Sequence, residues 1–481
     1  MANAKGRRVW WIVWGLSSVL IGGYLAAGIF AKDAATMPWL APARTLFLPG
    51  QTSHGHYQIE LKCEACHKSA FGGQESLQEA CVGCHGAELK AADDKHPLTK
   101  FTDPRNAERV EKLDATLCVT CHSEHRPRIT QAMGVTQPAD FCFHCHGGDN
   151  DIRVDRPSHK GMAFDTCGTS GCHKFHDNRA LYEDFLAKHL NEAAVNAAGR
   201  LPRRSLREAA ATFPDYPVQR FPLKAQTVPD APAGFRQPAG VAADWLATSH
   251  AAAGVNCSGC HQETDKQGVA TWAERPDQRV CATCHETETK GFLAGKHGMR
   301  LAAGLTPMTP GQARLPMQGK SHAIALGCNT CHTAHKFDTH EAAVDGCLQC
   351  HRDDHTLAYK QSRHYALWKQ ELAGTLPAGS GVSCASCHLP RVEHRRDGST
   401  RTLVQHNQND TLRPSEKMIR PVCMNCHGLG YAIDALADPA LVKRNFQGAP
   451  GGHVRSLEMV MERARQLDEK RRAERAAAAG K

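Results

Sequence analysis

All 22 cysteines of this 481-residue chain fall into eleven Cys-x-x-Cys-His signatures or a close variant, and none is left over. Ten have the standard spacing: CEACH (Cys63, Cys66, His67), CVGCH (Cys81, Cys84, His85), CVTCH (Cys118, Cys121, His122), CFHCH (Cys142, Cys145, His146) and CSGCH (Cys257, Cys260, His261). The others are CATCH (Cys281, Cys284, His285), CNTCH (Cys328, Cys331, His332), CLQCH (Cys347, Cys350, His351), CASCH (Cys384, Cys387, His388) and CMNCH (Cys423, Cys426, His427). The eleventh, CGTSGCH (Cys167, Cys172, His173), carries two extra residues between its cysteines. On a helix, positions i, i+3 and i+4 share one face, so all three side chains of a motif reach one ligand. That spacing is the attachment signal for c-type haem, in which two thiols add to the porphyrin vinyl groups and the histidine binds iron. Zinc sites, redox dithiols and disulfides use the same residue types, but haem attachment at eleven motifs consumes every thiol. The cofactor expectation is therefore eleven haems c.

Composition agrees with such a scaffold. Aromatic residues make up only 6% of the chain and charged residues 22%, a poor basis for a large side-chain core. The porphyrins are expected to supply much of the apolar interior, and the apoprotein to be largely unfolded, since metal binding and folding are coupled in such domains. The polypeptide carries a formal charge of +9. A ferric haem with both propionates ionised adds roughly −1, so eleven haems bring the holoprotein to about −2. The basic polypeptide thus gives no reason to expect nucleic acid, and no nucleic-acid motif is present.

Residues 9–31 form an uncharged apolar run long enough to span a bilayer. Lys5, Arg7 and Arg8 precede it and Trp10, Trp11 and Trp14 lie near its start, so the positive-inside rule places residues 1–8 in the cytoplasm and the rest outside. A cleaved signal peptide is the alternative. The expectation is a single span in a bacterial inner membrane, with the haem domains facing the periplasm.

Motif spacing divides the rest of the chain. Five motifs occupy residues 32–199, a Pro-rich connector covers 200–244, six motifs occupy 245–454, and a charged helix is expected over 455–481. A further helical stretch is expected at about residues 178–198. The predicted fold is mostly α with extensive irregular structure, organised by packed haems, with one N-terminal transmembrane helix.

The sixth position of each iron decides between functions. An iron held by two histidines passes electrons; one with an open position can do chemistry on a substrate. Of 29 histidines, eleven are proximal, leaving 18. His56, His159, His250 and His322 precede a motif by six to eight residues, and His125, His176, His335 and His355 come three or four residues after a motif histidine. His96, His297, His364 and His406 lie in the longer gaps. These twelve are the distal-ligand candidates; eleven are needed, so at least one is superfluous.

The run DDHTLAYKQSRHYALWKQELAG, with SCASCHLPRVEH, HNQND and KMIRPVCMNCHGLGYAIDAL, resembles the hydroxylamine oxidoreductase and cytochrome c nitrite reductase superfamily over Trp245 to Leu436. Tyr359, Ser362, His364, Met418, Val422 and Cys423 carry the resemblance best. In that superfamily one haem is catalytic. This chain has no Cys-x-x-Cys-Lys motif and no very long Cys–Cys spacer, and Tyr431 is the only tyrosine after Cys423. The N-terminal half is similar in layout to membrane-anchored quinol-oxidising multihaem cytochromes. The resemblance implies redox partner proteins and a membrane donor, with quinol as one such donor. Electron relay is the favoured function. The alternative is an oxidoreductase acting on hydroxylamine, nitrite or sulfite at one open haem in the C-terminal half.

Overall fold

A computed structural model describes residues 4–31, 37, 39–69, 72–92, 101, 103–155, 159–167, 175–176, 181, 183–203, 216–235, 238–264, 267–396, 399–412 and 414–479. Cys172, His173 and His96 lie outside the described residues, as does most of the early part of the connector.

The motifs themselves nucleate much of the local structure. In the motifs starting at Cys63, Cys118, Cys281, Cys328, Cys347 and Cys423, the histidine N–H donates to the first cysteine's carbonyl at 2.8–3.0 Å. Each motif thus closes one α-type turn. Polar residues in front of several motifs cap the orphan donors of these turns: Asn256 accepts from the Cys257 N–H, Ser383 from the Ser386 N–H. The result is many short helices, with strands confined to two hairpins among the described residues.

The chain divides into two compact units, Met1–Cys145 with Met299–Thr306, and His146–Gly298 with Pro307–Lys481. The first opens with α1 (Ala4–Phe30), whose stretch Gly6–Phe30 is long and apolar enough to cross a membrane. Its C-terminal end meets α2 (Ala41–Leu46). Gly28 permits this approach, because a Cβ there would collide with that of Ala43. Arg44, 5% exposed, donates from Nε to the Gly28 carbonyl (2.9 Å), from Nη1 to the Leu61 carbonyl (2.8 Å) and to Glu64 Oε2 (2.9 Å). One guanidinium therefore satisfies a carbonyl at the end of α1, where helix carbonyls lack intrahelical partners, and ties that end to the Cys63 motif. The Cys81 motif lies inside α3 (Gln74–Ala91).

In the second unit, α4 (Glu183–Lys188) is the described helical part of the stretch expected over residues 178–198. Beyond it the backbone turns to the last motif: Asn196 N–H donates to the Cys426 carbonyl (2.8 Å) and Gly428 N–H to the Ala193 carbonyl (3.1 Å). Groups committed to such long-range bonds cannot also close helical turns, which accounts for the shorter helix. The described residues of this stretch accordingly fall in the same compact unit as the six motifs from Cys257 onward. The connector wraps the Cys257 motif. Gln226 N–H donates to the Ala251 carbonyl, Asn256 Nδ2 to the Val228 carbonyl, and Ser258 N–H to Asp230.

Two hairpins come directly after motifs. In the first, β1 (Gln262–Thr264) pairs antiparallel with β2 (Ala270–Trp272); in the second, β3 (Arg391–Arg396) pairs with β4 (Ser399–Val404). Between them lie α5 (Thr339–Leu348) and α6 (Arg363–Leu372), the latter capped by Ser362 Oγ accepting from the Tyr365 N–H. Side-chain cores are small. Val344, Tyr359 and Trp368 form one cluster. Leu181, Leu186, Ile419, Leu429, Ala432, Ile433 and Val460 form the other, joining α4 to α7 (Leu429–Ala437) and α8 (Ser456–Ala479). The charged C-terminal helix thus docks by its thin apolar stripe.

Candidate haem-binding sites

Seven motif histidines stand opposite a second histidine. The ring centroids are 5.9 Å apart for His85 and His56, 5.8 Å for His261 and His335, and 6.1 Å for His285 and His250. They are 6.2 Å apart for His332 and His406, and 6.1 Å for His351 and His297. The last two pairs, His388 with His355 and His427 with His364, stand at 6.1 and 6.3 Å. A metal–imidazole nitrogen bond is about 2 Å and a ring centre lies roughly 1 Å behind its nitrogen, so two imidazoles on opposite sides of one metal have centres about 6 Å apart. The residues therefore fit a haem iron between each pair. They do not fit a zinc cage: among the described residues no three His, Cys, Asp or Glu converge as a metal cluster needs.

Local structure aims the rings. The first hairpin returns Trp272 onto His261, stacked at 5.1 Å and 12°, and the His261 Nδ1 faces the Ala273 carbonyl at 2.7 Å. The second ends at Val404, whose carbonyl faces His406 Nδ1 at 2.9 Å. His355 Nδ1 meets the Val442 carbonyl (2.5 Å) and His427 Nδ1 the Ala194 carbonyl (2.9 Å). A ring whose Nδ1–H is donated to a carbonyl presents Nε2 to the metal. Burial, with the facing imidazole next, depresses His250, His297 and His364 to about 4. Burial and then His355 do the same to His388. These rings stay neutral, as a metal ligand must.

The thiols connect the sites. Cys81 lies within hydrogen-bonding reach of Cys118, Cys281 of Cys328, and Cys347 of Cys384. Cys66 lies near Cys84, Cys121 near Cys145, Cys260 near Cys284, Cys331 near Cys350, and Cys387 near Cys426, each close enough to raise its neighbour's pKa. From the Cys81 site to the Cys118 site, and from the Cys281 site to the Cys384 site, each motif turns one cysteine to the motif before it and the other to the motif after.

Of the twelve distal candidates, the structure brings His56, His250, His297, His335, His355, His364 and His406 to a motif histidine. The pairing skips the nearest motif more often than chain offsets suggest: His250 precedes the Cys257 motif but faces His285, and His335 comes just after His332 but faces His261. Among the described residues no motif ring stands opposite His125 or His322. The His125 Nδ1 faces the Gly50 carbonyl at 2.8 Å. His176 stands edge-on to Phe175, and the His159 carbonyl accepts from the Met162 N–H. His67 closes its motif turn, and His122 Nδ1 faces the Gly134 carbonyl at 3.3 Å.

Sequence reasoning passed over two residues at these sites. Trp272 is one; its signal was a lone aromatic one short hairpin after a motif. Glu124 is the other. Its Oε1 lies 2.7 Å from His56 Nδ1, and Ser53 donates to it from both N–H and Oγ. Burial works to raise this carboxyl, but the hydrogen bonds from His56 and Ser53 outweigh it and hold it at about 2. In CHSEH a glutamate between two histidines reads as surface charge. Tyr431, the tyrosine after the last motif, stacks on the proximal ring of His427 at 4.8 Å and 19°.

Opposed imidazole pairs set beside Cys-x-x-Cys-His turns are the arrangement that would hold a haem c iron between two imidazoles. Residues 55–147, which carry the first four motifs with His56 and His125, match the family model described as cytochrome c3. No solved structure matches the chain.

Proposed function

We propose that the chain is a membrane-anchored periplasmic relay of eleven haems c, passing electrons between a membrane donor such as quinol and a periplasmic or outer-membrane redox partner. The single observation that carries this reading is the closure of the six-motif half, where His261, His285, His332, His351, His388 and His427 each face a second imidazole. A substrate-converting site in this half needs one of those positions free. Bound haem c supplies reversible one-electron chemistry at each site, with a potential set by ligands, burial and nearby charge.

The residues do the rest. Each Cys pair would hold one macrocycle through two thioether bonds. The Nδ1 anchors hold the axial rings in one orientation. The closeness of cysteines in successive motifs, first with first and second with second, would bring neighbouring haems close together from the Cys63 to the Cys142 motif and from the Cys257 to the Cys423 motif. In this reading the motifs before the Pro-rich connector bring five sites and those after it six, α1 anchors the chain in the membrane, and the compact units divide at Cys145, ahead of the fifth motif. The Tyr359-x-x-Ser362-x-His364 segment serves placement: the Tyr359 hydroxyl donates to the Val382 carbonyl and Ser362 caps the helix carrying His364.

Electron paramagnetic resonance of the ferric holoprotein tests the proposal. The relay requires low-spin signals from the six-motif half, unmoved by nitrite, hydroxylamine or sulfite. A stoichiometric high-spin signal that shifts with one of these ligands overturns it in favour of the oxidoreductase.

A further inference from the structure

The Cys81 site has a carboxylate against each of its two facing rings, whereas Asp244 acts on His335, and Asp353 on His351 and His388, as nearby charges. At four other sites the Nδ1 anchors are neutral backbone carbonyls: Ala273 for His261, Val442 for His355, Val404 for His406 and Ala194 for His427. At the Cys81 site both rings face carboxylates. His56 Nδ1 lies 2.7 Å from Glu124 Oε1, and His85 Nδ1 lies 3.6 Å from Glu88 Oε2. The Glu124 carboxylate is held in place by the Ser53 N–H at 2.5 Å and the Ser53 hydroxyl at 2.7 Å. It also comes from a distant part of the chain, so its position is fixed by the fold. Glu88 reaches His85 across one turn of α3 and is half exposed.

From this difference we infer that Glu124, with a smaller contribution from Glu88, makes the iron position between His85 and His56 the lowest-potential site among the seven opposed pairs. The inference rests on the reading of these pairs as haem sites. A carboxylate accepting the ring N–H draws the proton toward itself and makes the opposite nitrogen a stronger donor. Stronger donation and a nearby negative charge both favour the oxidised, more positive iron, and hydrogen bonding to the axial ligand is one of the levers that set haem potentials. Glu124 touches no iron; it is a positioning and potential-setting residue acting through His56. A low-potential site in the unit that carries α1 would pass its electron readily to sites of higher potential.

The test is a spectroelectrochemical titration of the full-length holoprotein in detergent, with haem content and low-spin signals quantified in each variant. In Glu124→Gln the most negative component of the titration moves to higher potential, while haem content and the low-spin count stay as in the unmodified protein. Glu88→Gln shifts the same component in the same direction by less, and reads the same site should the first variant fail to accumulate. Glu462→Gln, on the exposed C-terminal helix, leaves the titration unchanged. His56→Ala separates the pairing from the role of the carboxylate. Loss of one low-spin site there, with no movement of the lowest component in Glu124→Gln, overturns the role of Glu124 alone. An unchanged low-spin count in His56→Ala overturns the pairing on which it rests.

Discussion

From Trp245 onward, six motif histidines each face a second imidazole, and the polypeptide around them builds two side-chain clusters. Up to Cys145 one described pair, His56 with His85, sits in a unit whose buried apolar side chains include Leu40, Ala43, Ala80 and Ala115. These are mostly small residues, and each methyl buried contributes little. The second unit adds Leu429, Ile419, Leu441, Trp368 and Tyr359 to its haem sites. The two regions therefore divide the same task differently. With haem bound, the later one would combine porphyrin burial with a modest protein core, while the described residues of the earlier one would rely more on cofactors and on polar clamps such as Arg44.

The largest effect that can break this comparison is loss of haem attachment altogether. Chain produced without cytochrome c maturation should lose most of its stable structure, because binding free energy is folding free energy in such domains. Under limited proteolysis the residues before Cys145 should be cut first, and fragments containing the Leu429 cluster should persist longest. Equal susceptibility of both halves would remove the distinction between them.

Next in size is the opening of single irons. His355→Ala should convert one low-spin site in the second half to a high-spin one that binds added ligands, read by paramagnetic resonance. His322→Ala should change nothing, since no motif ring stands opposite it among the described residues. His125→Ala sharpens the comparison most. His125 comes after its motif histidine at the same offset as His335, and both adopt the left-handed backbone, at φ 60° and 69°. That conformation is uncommon for a non-glycine residue and marks a constrained position. His56 and His250 likewise precede their motifs by the same seven residues and face the motif beyond the adjacent one. If the halves share this wiring, His125→Ala opens one iron in the first half, the counterpart of what His335→Ala opens in the second. An unchanged low-spin count in His125→Ala would show that the parallel ends at His56.

The same pairs show how much the chain reveals before it folds. Attachment spacing is dictated by one porphyrin, so Cys63–His67 and its ten counterparts are readable locally, as are the single turns they close. The apolar helix and the wrapping connector also announce themselves by composition. The partner of each motif histidine is different in kind. His364 meets His427, and His297 meets His351, across long stretches of chain. Offsets along the sequence favour the nearest motif, whereas in the fold His335 and His406 face motifs earlier in the chain and His297 and His364 face motifs beyond the next one. Glu124 was hidden for the same reason: its partner His56 is brought to it only by the fold. The helix expected over residues 178–198 was shortened because Ala193, Ala194 and Asn196 give their backbone groups to the last motif.

A smaller perturbation addresses the protein core of the second half. Leu429, at the start of α7, is fully buried in the cluster that α7 shares with α4. Leu429→Ala should cost about 3 kcal/mol through lost burial and the cavity left behind. Because haem sites hold the rest of the unit, the loss should appear as faster amide exchange in residues 183–188, 429–437 and 456–465 rather than as global unfolding. A comparable Ala80→Gly change in α3 should cost roughly 1 kcal/mol, the helix-propensity penalty.

The smallest effect concerns how the C-terminal helix is tethered. His453 stands between Asp434 on α7 and Glu458 on α8, at 2.8 Å from Asp434 Oδ2 and 2.6 Å from Glu458 Oε1. Its hydrogen bond to Asp434, then that to Glu458, raises the imidazole above its ordinary value of 6.5. A group whose pKa is higher folded than unfolded holds its proton longer in the folded state, so its contribution is complete below pH 6.5 and fades as pH rises through the folded value. The bridge is exposed, so salt should weaken it as well. Amide exchange of the first turns of α8 should therefore quicken slightly as pH climbs above neutrality, after correction for intrinsic exchange. His453→Gln should show the fast rate at every pH. Slower corrected exchange at high pH would mean that the apolar stripe through Val460, and not the ion pairs, sets the docking of this helix.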